Sequence, residues 1–356
     1  MREKKAENNF LYFLEGVACI SVIFIHSMFP STAGVVICGL ARFAVPLFFL
    51  VSGYYLWDES SNSDQREQRL KQKISHTVKM LTIAVVIYLC WTLFREYLSG
   101  RTMAMRKMLY NLITPKQIFA MLFLNDFTII GGHLWFLAAL LYCYLFIFII
   151  RTGELSDNVV VPGILLPLGI HIVGRMLFCL FGVNHIAGIP VYIWFRNWMF
   201  MALPFFFAGN RIRSHQKKLM SLSSKLNLRL IFWIGVLLTA AETIGVYRTT
   251  SDDRELYIGT ILMVYAMFTY ALQHPEKNGV HWLKNIGKRY LAFIYITHLA
   301  VAEGLHIILA VIQIDHMAAI QYLAPIMTAG FSLLGAVLWE KLRNGLRIQK
   351  RRKTYG

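Results

Sequence analysis

The chain has 356 residues, 57% of them hydrophobic and only 15% charged, with a formal net charge of +17. That mixture excludes an ordinary soluble globular domain and points to an integral membrane protein. The basic excess forms neither a groove nor a tract between aromatic platforms, so no nucleic-acid partner is expected; it marks one face of a lipid bilayer.

Apolar runs of roughly 17 to 25 residues read as membrane spans. In chain order they cover 10–29, 34–57, 80–98, 133–150, 159–181, 194–212, 230–247, 256–273, 290–312 and 319–340. The expected fold class is an all-α integral membrane protein, a bundle of about ten transmembrane helices with both termini cytoplasmic. The orientation follows from the loops. With the N-terminus inside, most of the 36 Lys and Arg residues fall in inside segments, whereas outside segments hold only Arg101, Arg106, Lys107, Lys116, Arg248 and Arg254. That asymmetry is the positive-inside pattern. Trp57, Trp233, Trp282 and Trp339 then fall near the inner face and Trp135 and Trp194 near the outer, as an aromatic belt places them.

The start MREKK before a long apolar run without an A-x-A site reads as a signal anchor rather than a cleaved leader. A membrane domain over 1–345 and a basic cytoplasmic tail over 346–356 are expected. Cys19, Cys38, Cys90, Cys143 and Cys179 all fall in spans without metal-ligand spacing, so they read as small packing residues and no metal site is expected. In the long outside segment 99–132, Ile118 to Leu124 reads as a short interfacial helix. No soluble catalytic domain is expected, so any chemistry is expected to use the spans and their short loops.

Ionisable side chains cost several kcal/mol in hydrocarbon unless they pair or line a wet cavity, so each one inside a span is a candidate functional residue. His26 sits in the first run, and Arg42 opens RFAVPLFFLVSGYYLW in the second. Arg66, Arg69, Lys71 and Lys73 lie in the polar inside loop that follows. Later come His171 with Arg175, Arg196 with Asn197, Glu242, His298, and Glu303 with His306. The spacings of three and four put each of those pairs on one helix face. Converging faces would form a polar cavity open to the outside; charged pairs that only hold helices together are the plainer reading. Trp135 reads first as an interface anchor and second as a surface on which a sugar stacks.

Four stretches together resemble the acyltransferase-3 family of multispanning bacterial membrane acyltransferases. They are Phe24-Ile25-His26 at the end of the first span, Arg42 to Phe49 with Ser52-Gly53-Tyr54, His133-Leu134-Trp135-Phe136-Leu137, and Tyr295-Ile296-Thr297-His298. The resemblance implies an acyltransferase of the bacterial cytoplasmic membrane. It would move an acyl group, usually acetyl, from cytoplasmic acyl-CoA, a co-substrate rather than a resident cofactor, to a hydroxyl of a cell-surface glycan or lipid-linked acceptor. It maps the family's general base or acyl relay onto His26, and imidazole as a side chain is suited to take a hydroxyl proton.

Arg42 then either neutralises an oxyanion on the acyl carbonyl, holds the acceptor, or forms a salt bridge to Glu303 or Glu242. Arg66, Arg69, Lys71 and Lys73 are candidates to grip the CoA phosphates. Arg175, Arg196, Glu242, His298, Glu303, His306 and Trp135 are candidates to bind the acceptor. One departure stands out: the family generally carries a basic residue eleven positions before the histidine, and this chain has Glu15. The stretches RFAVPLFF and SGYY also resemble the membrane domain of vancomycin-resistance serine racemases, which implies the alternative of a transmembrane exporter of a small polar solute such as serine.

Overall fold

The computed structural model describes residues 7–56, 62–150, 157–250 and 254–355, with side chains omitted for Thr102, Thr250 and the tail beyond Leu346. The expected basic residues Arg2, Lys4, Lys5 and Arg151, Trp57 and the tail side chains lie outside that description. The described elements are α1 (Asn9–His26), α2 (Ser31–Ala41), α3 (Ala44–Tyr54), α4 (Ser63–Leu98), α5 (Thr102–Leu112), α6 (Pro115–Leu124), α7 (Trp135–Ile150) and α8 (Asp157–Leu180). There follow the two-residue strands β1 (His185–Ile186) and β2 (Ile189–Pro190), then α9 (Val191–Phe195), α10 (Leu203–Ser214), α11 (Gln216–Ser223) and α12 (Leu228–Thr250). The chain ends with α13 (Ile258–Gln273), α14 (His281–Asn285), α15 (Leu291–Val311) and α16 (Ala318–Tyr355).

Among the described residues the protein is all-α apart from that antiparallel hairpin. Among the described residues, 8 helical stretches are long and apolar enough to cross a membrane, and they cover all but two of the expected spans. The two differences have local causes. The run 256–273 is helical only over Ile258–Gln273, which is short for a span. The run 194–212 is broken: Asn197 leaves helical geometry and its side-chain oxygen accepts from the Met199 and Phe200 amides, starting a π-helical turn, Trp198–Ala202, ahead of α10.

The second run is also interrupted, at Arg42 and Phe43, between α2 and α3. Pro46 explains the position, since it has no N–H to give to the Arg42 carbonyl. The expected inside loop after α3 is instead largely the start of α4. Its Gln-, Arg- and Lys-rich sequence has good helix propensity, and Asn62 with Gln65 forms a reciprocal capping box at its start. The segment expected to form a short interfacial helix is helical as α6, started by Thr114 and Pro115.

The chain forms two compact units, residues 1–44 with 270–356, and residues 45–269. In the first, Asn8 caps α1 and its side-chain amide donates to the Ala271 carbonyl. Gly16 and Gly287 let backbones meet: a Cβ on Gly16 would overlap the Leu283 carbonyl, and one on Gly287 the Tyr12 carbonyl. In the second unit, Gly53 and Gly209 bring α3 and α10 together in the same way, against the carbonyls of Phe206 and Leu50. Around that contact Phe49, Phe206 and Phe207 are fully buried.

The outward faces are apolar. On α8, Leu165, Leu166, Val173 and Leu180 are exposed, and on α16 Ile326, Phe331, Leu334 and Leu338. Rows of exposed aliphatic and aromatic side chains on helices this long are what lipid contact requires.

Candidate functional site

In the first unit, His26 occupies the last turn of α1, and its ring centroid lies 5.2 Å from that of His298 on α15. The two histidines, the strongest sequence candidates in the first and ninth expected spans, are therefore neighbours. His26 is half-buried, whereas His298 is 1% exposed. The Nδ1 of His298 lies 3.1 Å from the Ile294 carbonyl and 2.9 Å from that of Tyr295. A carbonyl only accepts, so Nδ1 carries the hydrogen and, in the neutral ring, Nε2 carries the lone pair. Ser27, next to His26, has its hydroxyl 3.5 Å from that of Thr328 on α16. Glu303 is half-buried and His306 exposed further along α15.

Arg42 sits in the turn that ends α2, its amide donating to the Gly39 carbonyl. Counted by helical rise from the short connection 27–30, it stands about 16 Å along α2 from the end that carries His26 and so closer to the level of Glu15 than of the imidazole. Glu7 at the start of α1 forms an ion pair with Lys288.

In the second unit, the four basic residues proposed for CoA lie on the first turns of α4. Arg66, Arg69 and Lys73 share a face through their spacing, with buried Leu70 beside them. Lys71 points elsewhere and pairs with Glu67 at 2.6 Å, both well exposed. Another basic cluster joins Arg213, Gln216 and Tyr54 of the Ser-Gly-Tyr stretch: Arg213 donates to the Tyr54 hydroxyl and to the Gln216 side chain, and its guanidinium carbon is 5.3 Å from the Tyr54 ring centroid.

At the end of this unit expected to face outside, polar groups from distant parts of the sequence converge. Arg175 on α8 is paired at 3.3 Å with Glu255, just before α13, and the two side chains are only 5% and 7% exposed. One turn back on α8, buried His171 packs edge-on against Phe195. The Arg196 guanidinium lies over two rings, 5.5 Å from the Trp135 centroid and 4.9 Å from that of Tyr192, within cation–π range. Burial pushes the Tyr192 phenol above its ordinary value; Arg196 opposes the shift, and nearby Asp126 and Glu255 add to it. His133, the start of the His-Leu-Trp stretch, is buried edge-on against Tyr88.

Loop residues frame this cluster. Buried Asn125 takes a left-handed conformation and its side-chain oxygen accepts from the Trp198 amide. Asp126 accepts from the Thr128 amide and hydroxyl. Glu242 is engaged elsewhere, accepting from the Ile258 and Gly259 amides at the start of α13.

The structure thus brings His26 to His298, and Arg175, His171, Arg196 and Trp135 to one end of the second unit. Trp135 is buried rather than displayed, and its partner at that end is Arg196. Sequence reasoning misses Glu255, Asn125, Arg213 and Gln216. Glu255 gives no periodic signal because its partner Arg175 is far away in sequence, on a helix. An acidic residue at the lip of a span, opposite an intramembrane arginine with no acidic residue within a turn on its own helix, is the one hint the sequence offers.

Residues 8–340 match the acyltransferase-domain family, acyltransferase-3. The chain is also 25% identical over 344 residues to a serine/alanine racemase of Enterococcus gallinarum, an alignment that takes in 89% of this chain but 44% of the relative. The chain therefore spans less than half the length of that relative. No solved structure shows a significant match.

Proposed function

The chain belongs to the acyltransferase-3 family, and from that premise we propose that it transfers a short acyl group, acetyl first, from cytoplasmic acyl-CoA to a hydroxyl of a cell-surface glycan or lipid-linked acceptor. The observation that carries the proposal is the placement of His26. A half-buried imidazole ends the first span beside a second, buried histidine.

In the proposed step the acceptor oxygen attacks the thioester carbonyl while His26 takes the hydroxyl proton. The carbonyl carbon–oxygen bond forms, the carbon–sulfur bond breaks, and the proton passes from the imidazolium to the departing thiolate, which leaves as CoA–SH. Arg66, Arg69 and Lys73, on one face of α4, are proposed to meet CoA phosphates. Lys71 contributes less, because Glu67 already neutralises it. Arg175 and Arg196, with Trp135 behind the latter, are proposed to face the acceptor, Arg175 acting as one half of a fixed ion pair. Glu303 and His306 are proposed to line the acceptor's approach to His26. Glu242 is proposed to act indirectly, by holding the start of α13. Arg42 is assigned to charge balance along the first two spans rather than to the oxyanion, because helical rise separates it from the imidazole.

The second reading, export of a small polar solute such as serine, is favoured by the likeness to the racemase. It keeps the Arg175–Glu255 cluster and needs no thioester. Purified protein in nanodiscs separates the two: acetyl-CoA binding by calorimetry, with thiol release on turnover, supports transfer. Absence of both, with uptake of labelled serine into inverted proteoliposomes, overturns it. His26→Ala and His26→Gln are expected to abolish thiol release while leaving acetyl-CoA binding and thermal stability near those of the parent. Retained turnover in either removes His26 from the chemistry.

A further inference from the structure

We propose that α5 and α6 form a docking surface for anionic phospholipid, with Arg106 and Lys107 of α5 holding the lipid phosphates. This contact stands whether or not the protein transfers acyl groups.

The way α4 ends sets the position of both helices. Gly100 has a φ of +66°. Its amide donates to the Tyr97 carbonyl and the Arg101 amide to that of Glu96, the paired bonds of a Schellman stop with glycine in the left-handed place. The chain therefore leaves the α4 axis just after Phe94, Tyr97 and Leu98, all exposed. α5 has 11 residues and α6 has 10, about 16 and 15 Å of helical rise against a hydrocarbon core of about 30 Å. Neither is long enough to cross. α5 touches α4 and α6, and α6 is held in turn, with Ala120 and Leu124 packed against Ile189 and Ile193 and Lys116 donating to the Gly188 carbonyl.

The outward face of α5 suits neither water nor hydrocarbon alone. Met105, Met108 and Leu112 are half-buried on its inner side. The opposite side shows Met103 (76% exposed), Leu109 and Tyr110 (68%), followed by Ile113 (71%) just past the helix. At 100° per residue, exposed Arg106 falls between Ile113 and Tyr110, and exposed Lys107 falls beside Met103. α6 extends the apolar surface with Ile118, Phe119, Leu122 and Phe123, the two phenyl rings stacked at 5.0 Å. Apolar side chains interleaved with long cations are accommodated together at the headgroup boundary, where the apolar parts enter the acyl region and the charged ends reach the phosphates.

Charge selects the occupant. Residues 97–125 hold four basic side chains and no acidic one. Glu96, just before them, pairs with Arg95, and Lys116 is engaged with Gly188. Arg101, Arg106 and Lys107 are left without a side-chain partner among the described residues. A second copy docking through this face would bring two sets of like charges together, which is unfavourable. An anionic lipid surface supplies the missing counter-charge, with each cation near it adding to the attraction. The same contact accounts for three basic residues gathering within 101–107, on the side of the membrane that the other loops leave poor in them.

Cross-linking identifies the occupant. Full-length protein carrying Tyr110→p-benzoylphenylalanine is placed in nanodiscs of equal phosphatidylcholine and phosphatidylglycerol with the same acyl chains, irradiated, and its adducts are weighed by mass spectrometry. Lipid adducts are expected, with phosphatidylglycerol favoured at least about threefold at low salt. Adding Arg106→Gln and Lys107→Gln should bring the ratio to about one. So should about 1 M salt with both cations in place, since the screening length then falls to about 3 Å; that arm decides the matter even if the charge variant folds poorly. A covalent dimer would give the face to a second copy, and the absence of any adduct would give it to water. Equal capture of the two lipids at low salt would leave an interface without headgroup preference. Each of these results overturns the proposal, as does a phosphatidylglycerol preference that survives high salt or the loss of both cations.

Discussion

Replacing Arg175 with Met is the most direct test of how the second unit holds charge inside a membrane. The arginine and Glu255 are 3.3 Å apart with 5% and 7% of their side chains exposed, so removing one leaves the other charged in a poorly solvated site. Breaking a buried pair on one side costs about 3 to 5 kcal/mol, whereas replacing both partners with apolar residues of similar volume is often close to neutral. At 1.4 kcal/mol per factor of ten, the single change alters the unfolding equilibrium by roughly 100- to 4,000-fold. The double variant Arg175→Met with Glu255→Leu should recover more than half of that loss. Buried free cysteines provide the assay: Cys19, Cys38 and Cys143 are shielded in the folded protein, so a thiol-reactive dye during a temperature ramp reports unfolding. The single variant is expected to melt about 10 °C lower than the parent. A double variant as unstable as the single, or a single variant with an unchanged midpoint, would refute the view that the pair is a mutually dependent buried unit.

Gly53→Ala should lower the melting point by several degrees because its Cβ meets the Phe206 carbonyl, while Gly330→Ala, with open space around it, should leave the midpoint unchanged or slightly raised. Reporter fusions after residues 64, 216 and 350 are expected to signal from inside and those after 105 and 251 from outside; an outside signal at any of the first three breaks the orientation drawn from the basic loops. Arg196→Lys should weaken acceptor use more than acetyl-CoA binding, since a lysine cannot lie flat over Trp135 and Tyr192; an equal effect on both would detach this cluster from the acceptor. Glu15→Arg should lower thermal stability, with the charge exchange Glu15→Arg and Arg42→Glu restoring it; tighter CoA binding by Glu15→Arg at unchanged stability would place residue 15 on the donor's path instead.

The membrane class, most span positions and the His26 and His298 candidates are legible in the sequence because they depend on local hydropathy and on short motifs. The breaks are less so. Pro46 advertises an interruption near Arg42, but the extended backbone at Asn197 depends on a side chain turning back onto the Met199 and Phe200 amides, and asparagine in an apolar run does not announce that choice. The start of α4 reads as a loop because polarity suggests solvent, although its residues favour helix and Asn62 caps it. Pairing across the sequence is the least accessible level. Helical spacing finds partners three or four residues apart, so it puts His171 and Arg175 together but cannot find Glu255. Nor does it show that the Glu242 carboxylate, one expected partner of Arg42, accepts from the α13 amides.

Glu15 is where packing bears most directly on the departure from the family pattern. Its neighbour Gly16 is pressed against the Leu283 carbonyl, and Tyr12 one turn earlier against Gly287, so the backbone of this part of α1 is closely packed. The connection 27–30 turns the chain back, and α1 and α2 are in contact. Counting about 17 Å of helical rise down each limb from that turn reaches residue 15 on one helix and residue 42 on the other. A carboxylate and a guanidinium at one level of a helix hairpin attract. An arginine at position 15 would instead place two cations at that level, with a repulsion of the same order. We propose that the acid at 15 balances Arg42 across this hairpin, inside the protein rather than facing CoA. On this ground the donor's phosphates are proposed to meet Arg66, Arg69 and Lys73, three cations that share one face of α4 and so can address several phosphate oxygens at once.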